Sequence, residues 1–170
     1  MPPGKMGIVE IVDAVGFLLG KWWLSRSIED HQSGIHASFQ GTAELFEDEP
    51  GSSSVIGGRA HYEEKGELHY GSYRGPAFRR LDYVRSDDAS AMLYFADGRP
   101  FVDLDLRNGT WQSSHLCAND HYEIFTLVRS STIVNESWRV WGPSTNYEAA
   151  TMFTRMGSIQ SGDKGRESGH

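Results

Sequence analysis

The chain has 170 residues and a formal net charge of −7, a length that fits one domain with a core of its own. The acidic balance, with no basic run that is interleaved with aromatic residues, excludes a typical nucleic-acid partner. Cys117 is the only cysteine, which excludes an intrachain disulfide and predicts a reducing, cytoplasmic location. The 19 glycines and 12% aromatic residues favour a β protein with many turns over a helical bundle.

The apolar stretch at residues 7–20 is too short to span a bilayer, which takes about 20 apolar residues. Its apolar residues recur at helical spacing, namely Ile8, Ile11, Val12, Val15, Leu18 and Leu19. Glu10 and Asp13 fall on the other side. This pattern predicts a short amphipathic helix that ends near Gly20. Since the polar face is not basic, no membrane partner is expected.

Residues 21–156 alternate between apolar and polar positions, which is typical of β-strands. Trp22, Leu24, Arg26 and Ile28 share one face of the first predicted strand. Gly57-Gly58 is interpreted as a bulge or bend inside a strand. The predicted turns and breaks are Glu49-Pro50-Gly51-Ser52, Lys65-Gly66, Gly75-Pro76, Asp87-Asp88, Asp97-Gly98, Asn108-Gly109 and Gly142-Pro143.

About ten sequential strands joined by short connections predict either a closed up-and-down antiparallel barrel or a sandwich. We favour the barrel, because closure removes the sheet edges that template aggregation. The N-terminal helix would cover one end, and a barrel of this size leaves room for one small ligand. Residues 1–156 would form this single domain, and the Gly/Ser-rich, charged tail at 157–170 is predicted to be disordered.

Two features at the predicted barrel end carry a family resemblance. Gly20-Lys21-Trp22 opens the first strand, and Arg155 lies near the end of the last strand. This arrangement resembles the G-x-W signature of lipocalins, in which an arginine stacks on the tryptophan. The resemblance implies a cation–π pair at the closed end, worth about 0.5–2 kcal/mol.

More specifically, the chain resembles an uncharacterised lipocalin-like (calycin-type) family of short bacterial and fungal proteins. The matching segments are Leu19–Trp22, Phe39–Ala43, Tyr62–Leu68, Phe95–Phe101, His115–Tyr122 and Trp138–Pro143 with Tyr147. The resemblance implies a barrel and a pocket but no particular reaction. Two positions depart from the family pattern: Ser144 stands where a lysine is usual, and Val102 stands where a histidine is usual.

Polar residues on predicted interior faces are the candidates for chemistry. A buried Glu or His with a shifted pKa can act as an acid or base, and a Tyr or Arg can donate to a developing oxyanion. The candidate catalytic residues are His115, Tyr122, Glu64 and Tyr62. The candidate substrate-binding residues are Arg26, Phe39, Arg80, Phe95, Phe101, Cys117, Asp120, Trp138, Trp141 and Tyr147.

A structural role is the alternative for most of these residues. Arg26 with Glu64, or Asp120 with a nearby turn N–H, would be ordinary buried pairs. Cys117 would then be a small buried hydrophobic residue. Of the histidines, none shows a metal-ligand spacing of known type, so no metal is expected.

The sequence therefore predicts a protein that binds a hydrophobic small molecule in the barrel. The favoured hypothesis is a cofactor-independent cyclase or isomerase of acid–base type, or a dehydratase-like lyase, acting on a specialised metabolite. The alternatives are a carrier or sensor without chemistry and, third, a haem-binding barrel that would use His115 or His121. A monomer or homodimer is expected, and no cofactor.

Overall fold

The computed structural model describes residues 8–157. It contains one short helix and ten strands, which the alternating sequence pattern produces. The elements are α1 (Ala14–Leu18), β1 (Gly20–Asp30), β2 (Ile35–Phe46), β3 (Arg59–Tyr70), β4 (Tyr73–Asp87), β5 (Ser90–Phe95), β6 (Pro100–Asp105), β7 (Thr110–Cys117), β8 (Asp120–Val128), β9 (Ile133–Gly142) and β10 (Thr145–Arg155).

All neighbouring strands pair antiparallel, in the order β6-β5-β4-β3-β2-β1-β10-β9-β8-β7. The first and last strands pair with each other, with Trp22 opposite Arg155. The sheet thus curls into a nearly closed up-and-down barrel, and the predicted fold class is confirmed.

The ring has one break, between β6 and β7, the only consecutive strands of residues 8–157 without a ladder. We call this break the seam. Side chains bridge it: the Trp111 indole N–H donates to the Asp103 carbonyl at 3.2 Å, and the Ser113 hydroxyl donates to the Asp103 carboxylate at 2.6 Å.

The prediction of a turn at Lys65-Gly66 is wrong, because β3 continues through it to Tyr70. Gly66 lies opposite Gly41 on β2. A Cβ on either glycine would lie 2.1 Å from a backbone oxygen of the opposite strand. Here the glycine allows two strands to approach closely and does not end one.

The predicted strand break at Gly75-Pro76 is also wrong, because β4 runs through both residues. The pairing of β4 with β5 begins only at Leu81, opposite Phe95. Pro76 therefore lies on a stretch of β4 that has a ladder on one side, toward β3, and its missing N–H breaks no second ladder. The turn between β3 and β4 lies earlier in the chain, at Gly71, whose φ is +58°.

Residues 47–58 form an irregular loop. The predicted bulge at Gly57-Gly58 belongs to this loop, where Gly57 has a φ of +80°, so that prediction is wrong. The turns predicted at Asp97-Gly98 and Asn108-Gly109 are confirmed, since each lies between two consecutive strands. The predicted break at Gly142-Pro143 is also confirmed, since β9 ends at Gly142 and β10 begins at Thr145.

The N-terminal helix is shorter than its apolar pattern predicts. Asp13 caps it, accepting a hydrogen bond from the Gly16 N–H at 2.9 Å. The preceding residues run along the barrel end instead, where the N–H groups of Val9 and Ile11 donate to the carbonyls of Val128 and Leu106. No described helix approaches the length and apolarity needed to cross a membrane. Residues 1–7 and the predicted tail beyond Gly157 lie outside the described residues.

Arg155 and Trp22 meet where α1 covers the barrel. The guanidinium carbon of Arg155 lies 4.1 Å from the centre of the Trp22 ring. The same guanidinium donates to the carbonyls of Leu19, at 3.1 Å, and Phe17. The stacking that the lipocalin resemblance implies is therefore confirmed. We call this end of the barrel the helix end, and the opposite end, with the turns after β1, β3 and β9, the open end.

Arg85 ties three segments together at the helix end. Its side chain, 4% exposed, donates to the Ser53 carbonyl at 2.7 Å, to the Asp13 carboxylate at 2.7 Å and to the Asp88 carbonyl at 3.3 Å. It thus joins the 47–58 loop, the cap of α1 and the turn before β5.

Candidate functional site

Four charged side chains cross the barrel interior at mid-height, and we call them the charged layer: Arg26, Glu64, Arg79 and Glu136. Strand alternation turns each of them inward, next to buried apolar neighbours on the same face. Arg26 makes a two-pronged contact with Glu64, at 2.7 and 3.1 Å, and also donates to the Thr151 hydroxyl at 2.8 Å. The predicted pairing of Arg26 with Glu64 is thus present.

Glu64 is the acceptor at the centre of this layer. Besides Arg26, the Tyr62 hydroxyl donates to it at 2.7 Å. Burial alone would raise the pKa of Glu64, but the hydrogen bond from Arg26 and the charge of Arg79 outweigh it and hold the pKa below its usual value. Glu64 is therefore held as a carboxylate at neutral pH. Burial and the Glu64 charge raise the pKa of Tyr62, so that hydroxyl remains a donor.

Arg79 is the second guanidinium of the layer. It lies over the Trp138 ring, 4.7 Å from the ring centre. Its Nε is 3.4 Å from the nearer Glu64 oxygen and, although buried, makes no hydrogen bond to any residue within 8–157. Arg79 therefore contributes a positive charge to the layer, while its Nε–H makes no hydrogen bond there.

Glu136 has the opposite environment to Glu64. Burial raises its pKa, and the charges of Arg79 and Arg26 only partly offset this. Its carboxyl group accepts from the Trp138 indole N–H. One interior layer thus holds two carboxyl groups whose pKa values are shifted in opposite directions.

We expect Glu136→Gln to stabilise the protein increasingly as the pH rises. A raised folded-state pKa means that Glu136 favours folding below its unfolded pKa and loses that contribution as the pH rises through the folded value. At high pH the gain in the free energy of unfolding should reach roughly 1.4 kcal/mol for each pH unit by which the folded-state pKa of Glu136 exceeds its unfolded-state pKa. Urea unfolding of both proteins at pH 4 and pH 8 measures it. If the difference in the free energy of unfolding between the two proteins does not change with pH, folding does not raise the pKa of Glu136.

Two interior cavities lie on either side of the layer. The helix-end cavity is about 70 Å³, and Trp22, Tyr62, Tyr83, Phe101, Glu136 and Trp138 are among its lining residues. The open-end pocket is about 320 Å³, with Arg26 and Arg79 at its base. Its walls include Ile28, Leu68, Tyr70, Trp138, Tyr147 and Ala149. Trp138 is common to both.

The candidate residues His115 and Tyr122 form a second group, away from Glu64 and Tyr62. Their rings lie 6.2 Å apart, and Phe101 packs against both, at 5.6 and 5.9 Å. Trp138 lies 5.4 Å from Phe101 and so links this aromatic group to Arg79. The four predicted catalytic residues are therefore split between the charged layer and an aromatic wall.

Several other candidates also face inward. Phe39 is 4% exposed and lies under the Arg26 guanidinium, at 5.6 Å. Phe95 packs on Phe101 at 4.6 Å. Tyr147 lines the open-end pocket, and burial, with the neighbouring Tyr122 and Asp120, raises its pKa to about 12.

Asp120 and Cys117 face each other where β7 and β8 meet. Asp120 accepts from the Thr145 hydroxyl at 3.2 Å. Cys117 is a free thiol and only partly buried. Its interpretation as a buried hydrophobic residue requires more complete burial of the side chain.

Two candidates point outward. Arg80 is exposed and pairs with Glu63 at 3.2 Å. Trp141 lies on the outer face, stacked on His121 at 5.2 Å. The sequence analysis placed Arg80 in the site and missed Arg79, although Arg79 lies two residues before buried Leu81 and shares its face. It also missed Glu136, which the alternation of Val134 and Trp138 places inside.

No group of three or more His, Cys, Asp or Glu side chains within residues 8–157 is arranged to hold a metal ion. The interior of this part of the chain offers paired guanidinium and carboxyl groups and aromatic rings.

Ten antiparallel strands, a helical cover and a polar layer between two cavities define a small lipocalin-like barrel. The chain belongs to a family of unknown function, DUF6314, whose profile matches residues 18–155. This agrees with the resemblance to an uncharacterised barrel family. No curated protein matches the chain.

Two of the solved structures that are similar to this chain are a lyase and a protein of unknown function. An S-type phycobiliprotein lyase, CPES, from Guillardia theta is 8% identical, with a TM-score of 0.60 over 83% of this chain and 89% of that chain. A protein of unknown function from the DUF3598 family of Nostoc punctiforme is 12% identical, with a TM-score of 0.54 over 89% of this chain. The match spans only 52% of the Nostoc protein. At these identities the likeness is one of fold.

Proposed function

We propose that the protein binds a hydrophobic small molecule in the open-end pocket. The observation that supports this best is the pocket itself, which combines apolar and aromatic walls with two guanidinium groups at its base. A concave, mostly apolar site with a few convergent polar groups is the usual form of a small-molecule site.

The sizes of the two cavities favour the open end. Its volume of about 320 Å³ lies at the lower limit of the range of about 300–1,000 Å³ that is common for ligand pockets. The helix-end cavity, at about 70 Å³, has room for a few water molecules or a small substituent. A ligand would therefore occupy the open-end pocket and stop at the charged layer.

We expect Ala149→Trp to abolish binding of a neutral hydrophobic probe, N-phenyl-1-naphthylamine, measured by the rise in probe fluorescence. Ala149 is buried and lines the pocket, so an indole there would fill the space. The dissociation constant should rise about tenfold or more.

Ala150→Trp is the matched control, because Ala150 is the next residue on β10 and points outward. It should leave the dissociation constant unchanged within about twofold. Circular dichroism confirms that both variants fold. If both variants bind the probe with equal affinity, or if only Ala150→Trp loses binding, the probe lies outside the barrel and the proposal is contradicted.

A second candidate function is conversion of the bound molecule by a cofactor-independent isomerase or cyclase. The opposite pKa shifts of Glu64 and Glu136 favour it, since acid–base enzymes use such pairs to keep one group protonated and one ionised. Glu136 and Tyr62 line the helix-end cavity, so in this candidate a part of the substrate would extend past the charged layer into that cavity. There Glu136 would deliver a proton, and Glu64 would hold Arg26 and Tyr62 in position beside the developing charge. The proton lost elsewhere on the substrate returns to solvent, so the reaction is redox-neutral.

A carrier or sensor is the alternative to this second candidate. Native mass spectrometry of the protein from its own host, followed by organic extraction, would identify a bound molecule. Incubation of that molecule and its precursors with the protein then separates the two functions. A carrier returns every compound unmodified, whereas an isomerase yields a product of equal mass and different retention time, and Glu136→Gln stops its formation.

A further inference from the structure

The two arginines of the charged layer differ in their hydrogen bonds to the rest of the protein. Arg26 has all its contacts within the protein, to both Glu64 oxygens and to Thr151. One of those oxygens, Oε2, also accepts from the Tyr62 hydroxyl, and the other, Oε1, accepts from Arg26 and is the oxygen nearest Arg79. The Arg79 Nε lies 3.4 Å from Oε1 and, although buried, makes no hydrogen bond among the described residues. A buried unpaired donor of this kind costs stability unless a ligand pairs with it.

Positive and negative charges are separated along the open-end pocket. Arg26 and Arg79 line its base, whereas Glu64 and Glu136 are not among the residues that line it. The tyrosines that face the layer, Tyr62 and Tyr83, are neutral, because burial raises the pKa of each. The face that the layer presents to the pocket is therefore positively charged.

The rim of the pocket has the opposite character. Asp30 lines it and is held by the Tyr70 hydroxyl at 2.7 Å. Hydrogen bonds from Tyr70 and Ser33 keep the pKa of Asp30 below its usual value, so it is anionic. An anionic group on a ligand is repelled at the rim and attracted at the base.

We infer that the natural ligand is an amphipathic anion whose acidic group, a carboxylate or sulfonate, enters first and pairs with Arg79. The apolar body of the ligand would then lie against Trp138, Tyr147 and Leu68, which form the wall above that arginine. This inference rests on the proposed function, since it names the class of molecule that the same pocket takes. A charge-assisted pair with a planar guanidinium is strong and directional, which suits Arg79 to this role.

The test compares two probes that share one aromatic body. 1-Anilinonaphthalene-8-sulfonate is anionic, and N-phenyl-1-naphthylamine is its neutral counterpart. Arg79→Met should raise the dissociation constant of the sulfonate about tenfold or more, because a charge-assisted pair is lost. The dissociation constant of the neutral probe should change by less than about threefold.

Arg80→Met is the matched control, because Arg80 is the adjacent residue on the outer face, and it should affect neither probe. Arg79→Lys keeps the charge and guards against a folding defect in the Met variant. It should retain tighter sulfonate binding than Arg79→Met. The inference is overturned if Arg79→Met weakens the binding of both probes equally and Arg79→Lys restores the binding of neither. It is also overturned if Arg79→Met leaves the binding of the sulfonate unchanged.

The two proposals fail in different ways. If Ala149→Trp does not displace the neutral probe, the pocket is not the binding site and the proposed function fails. If Ala149→Trp displaces both probes but Arg79→Met does not discriminate between them, the pocket binds hydrophobic molecules without regard to charge. In that case only the inference of an anionic ligand fails.

Discussion

Replacing Glu64 with Ala is expected to lower the free energy of unfolding by about 3–5 kcal/mol at pH 7. The side chain is 4% exposed and is the shared acceptor of Arg26 and Tyr62. Its removal leaves one guanidinium buried without its counter-charge and one buried hydroxyl without an acceptor, and both are costly in a low dielectric. Chemical denaturation monitored by tryptophan fluorescence measures the effect.

Glu63→Ala is the control for this prediction. Glu63 is the preceding residue, lies 46% exposed on the outer face and pairs with Arg80 at 3.2 Å. An exposed pair of this kind contributes about 0–1 kcal/mol. Similar losses in the two variants would mean that the interior network does not stabilise the barrel.

The effect of Glu64→Ala should also shrink in acid. The folded-state pKa of Glu64 lies below its unfolded value, because Arg26 and Arg79 outweigh the effect of burial. The stability from its ionised form is present above the unfolded pKa, about 4.3, and is lost as the pH falls through the folded value. The difference between variant and wild type at pH 3 should therefore be smaller than at pH 7.

Replacing Arg85 with Ala is expected to cost about 3 kcal/mol. The change leaves the buried carbonyl of Ser53 without its charged donor and frees the cap of α1 from its tie to the barrel. The partner Asp13 is 55% exposed, so we attribute most of the loss to the two carbonyl contacts and the vacated space. The midpoint of urea unfolding measures it.

Local opening of the 47–58 loop gives a second measurement for Arg85→Ala. Val55 and Ile56 are 62% and 74% exposed at the tip of this loop, and thermolysin cleaves before such residues. The variant should be cut there faster than wild type, because Arg85 no longer holds the loop. Arg80→Ala, on the outer face of the same strand, should leave both the midpoint and the cleavage rate unchanged. Unchanged cleavage in Arg85→Ala would contradict the tie.

Strand alternation was a reliable guide wherever a strand contained a buried anchor that was recognised. Trp22 and Leu24 fix the inward face of β1 and so place Arg26 correctly, and the pattern of β3 places Tyr62 and Glu64 together. The stack of Arg155 on Trp22 was predicted in another way, from the resemblance to the lipocalin signature. These residues depend only on local periodicity and on one known signature.

The failures come from features that are not local. Gly66 and Pro76 resemble turn residues, yet one serves a close approach of two strands and the other lies beyond the reach of β5. Both depend on the neighbouring strand, which the sequence alone does not place. Arg80 was chosen rather than Arg79, although Arg79 shares the face of buried Leu81. The division of the interior into two cavities also escaped prediction, because it depends on the heights at which charged residues from four strands meet.

The seam between β6 and β7 means that the sheet retains two free edges, and a free edge can pair with another molecule and seed aggregation. The β6 edge has several of the defences that natural sheets use. It is six residues long, starts at Pro100, which has no N–H to donate, and carries the carboxylates of Asp103 and Asp105. On the other edge, Trp111 and Ser113 are already engaged across the gap. The barrel thus combines an incomplete ring with built-in protection against intermolecular strand exchange.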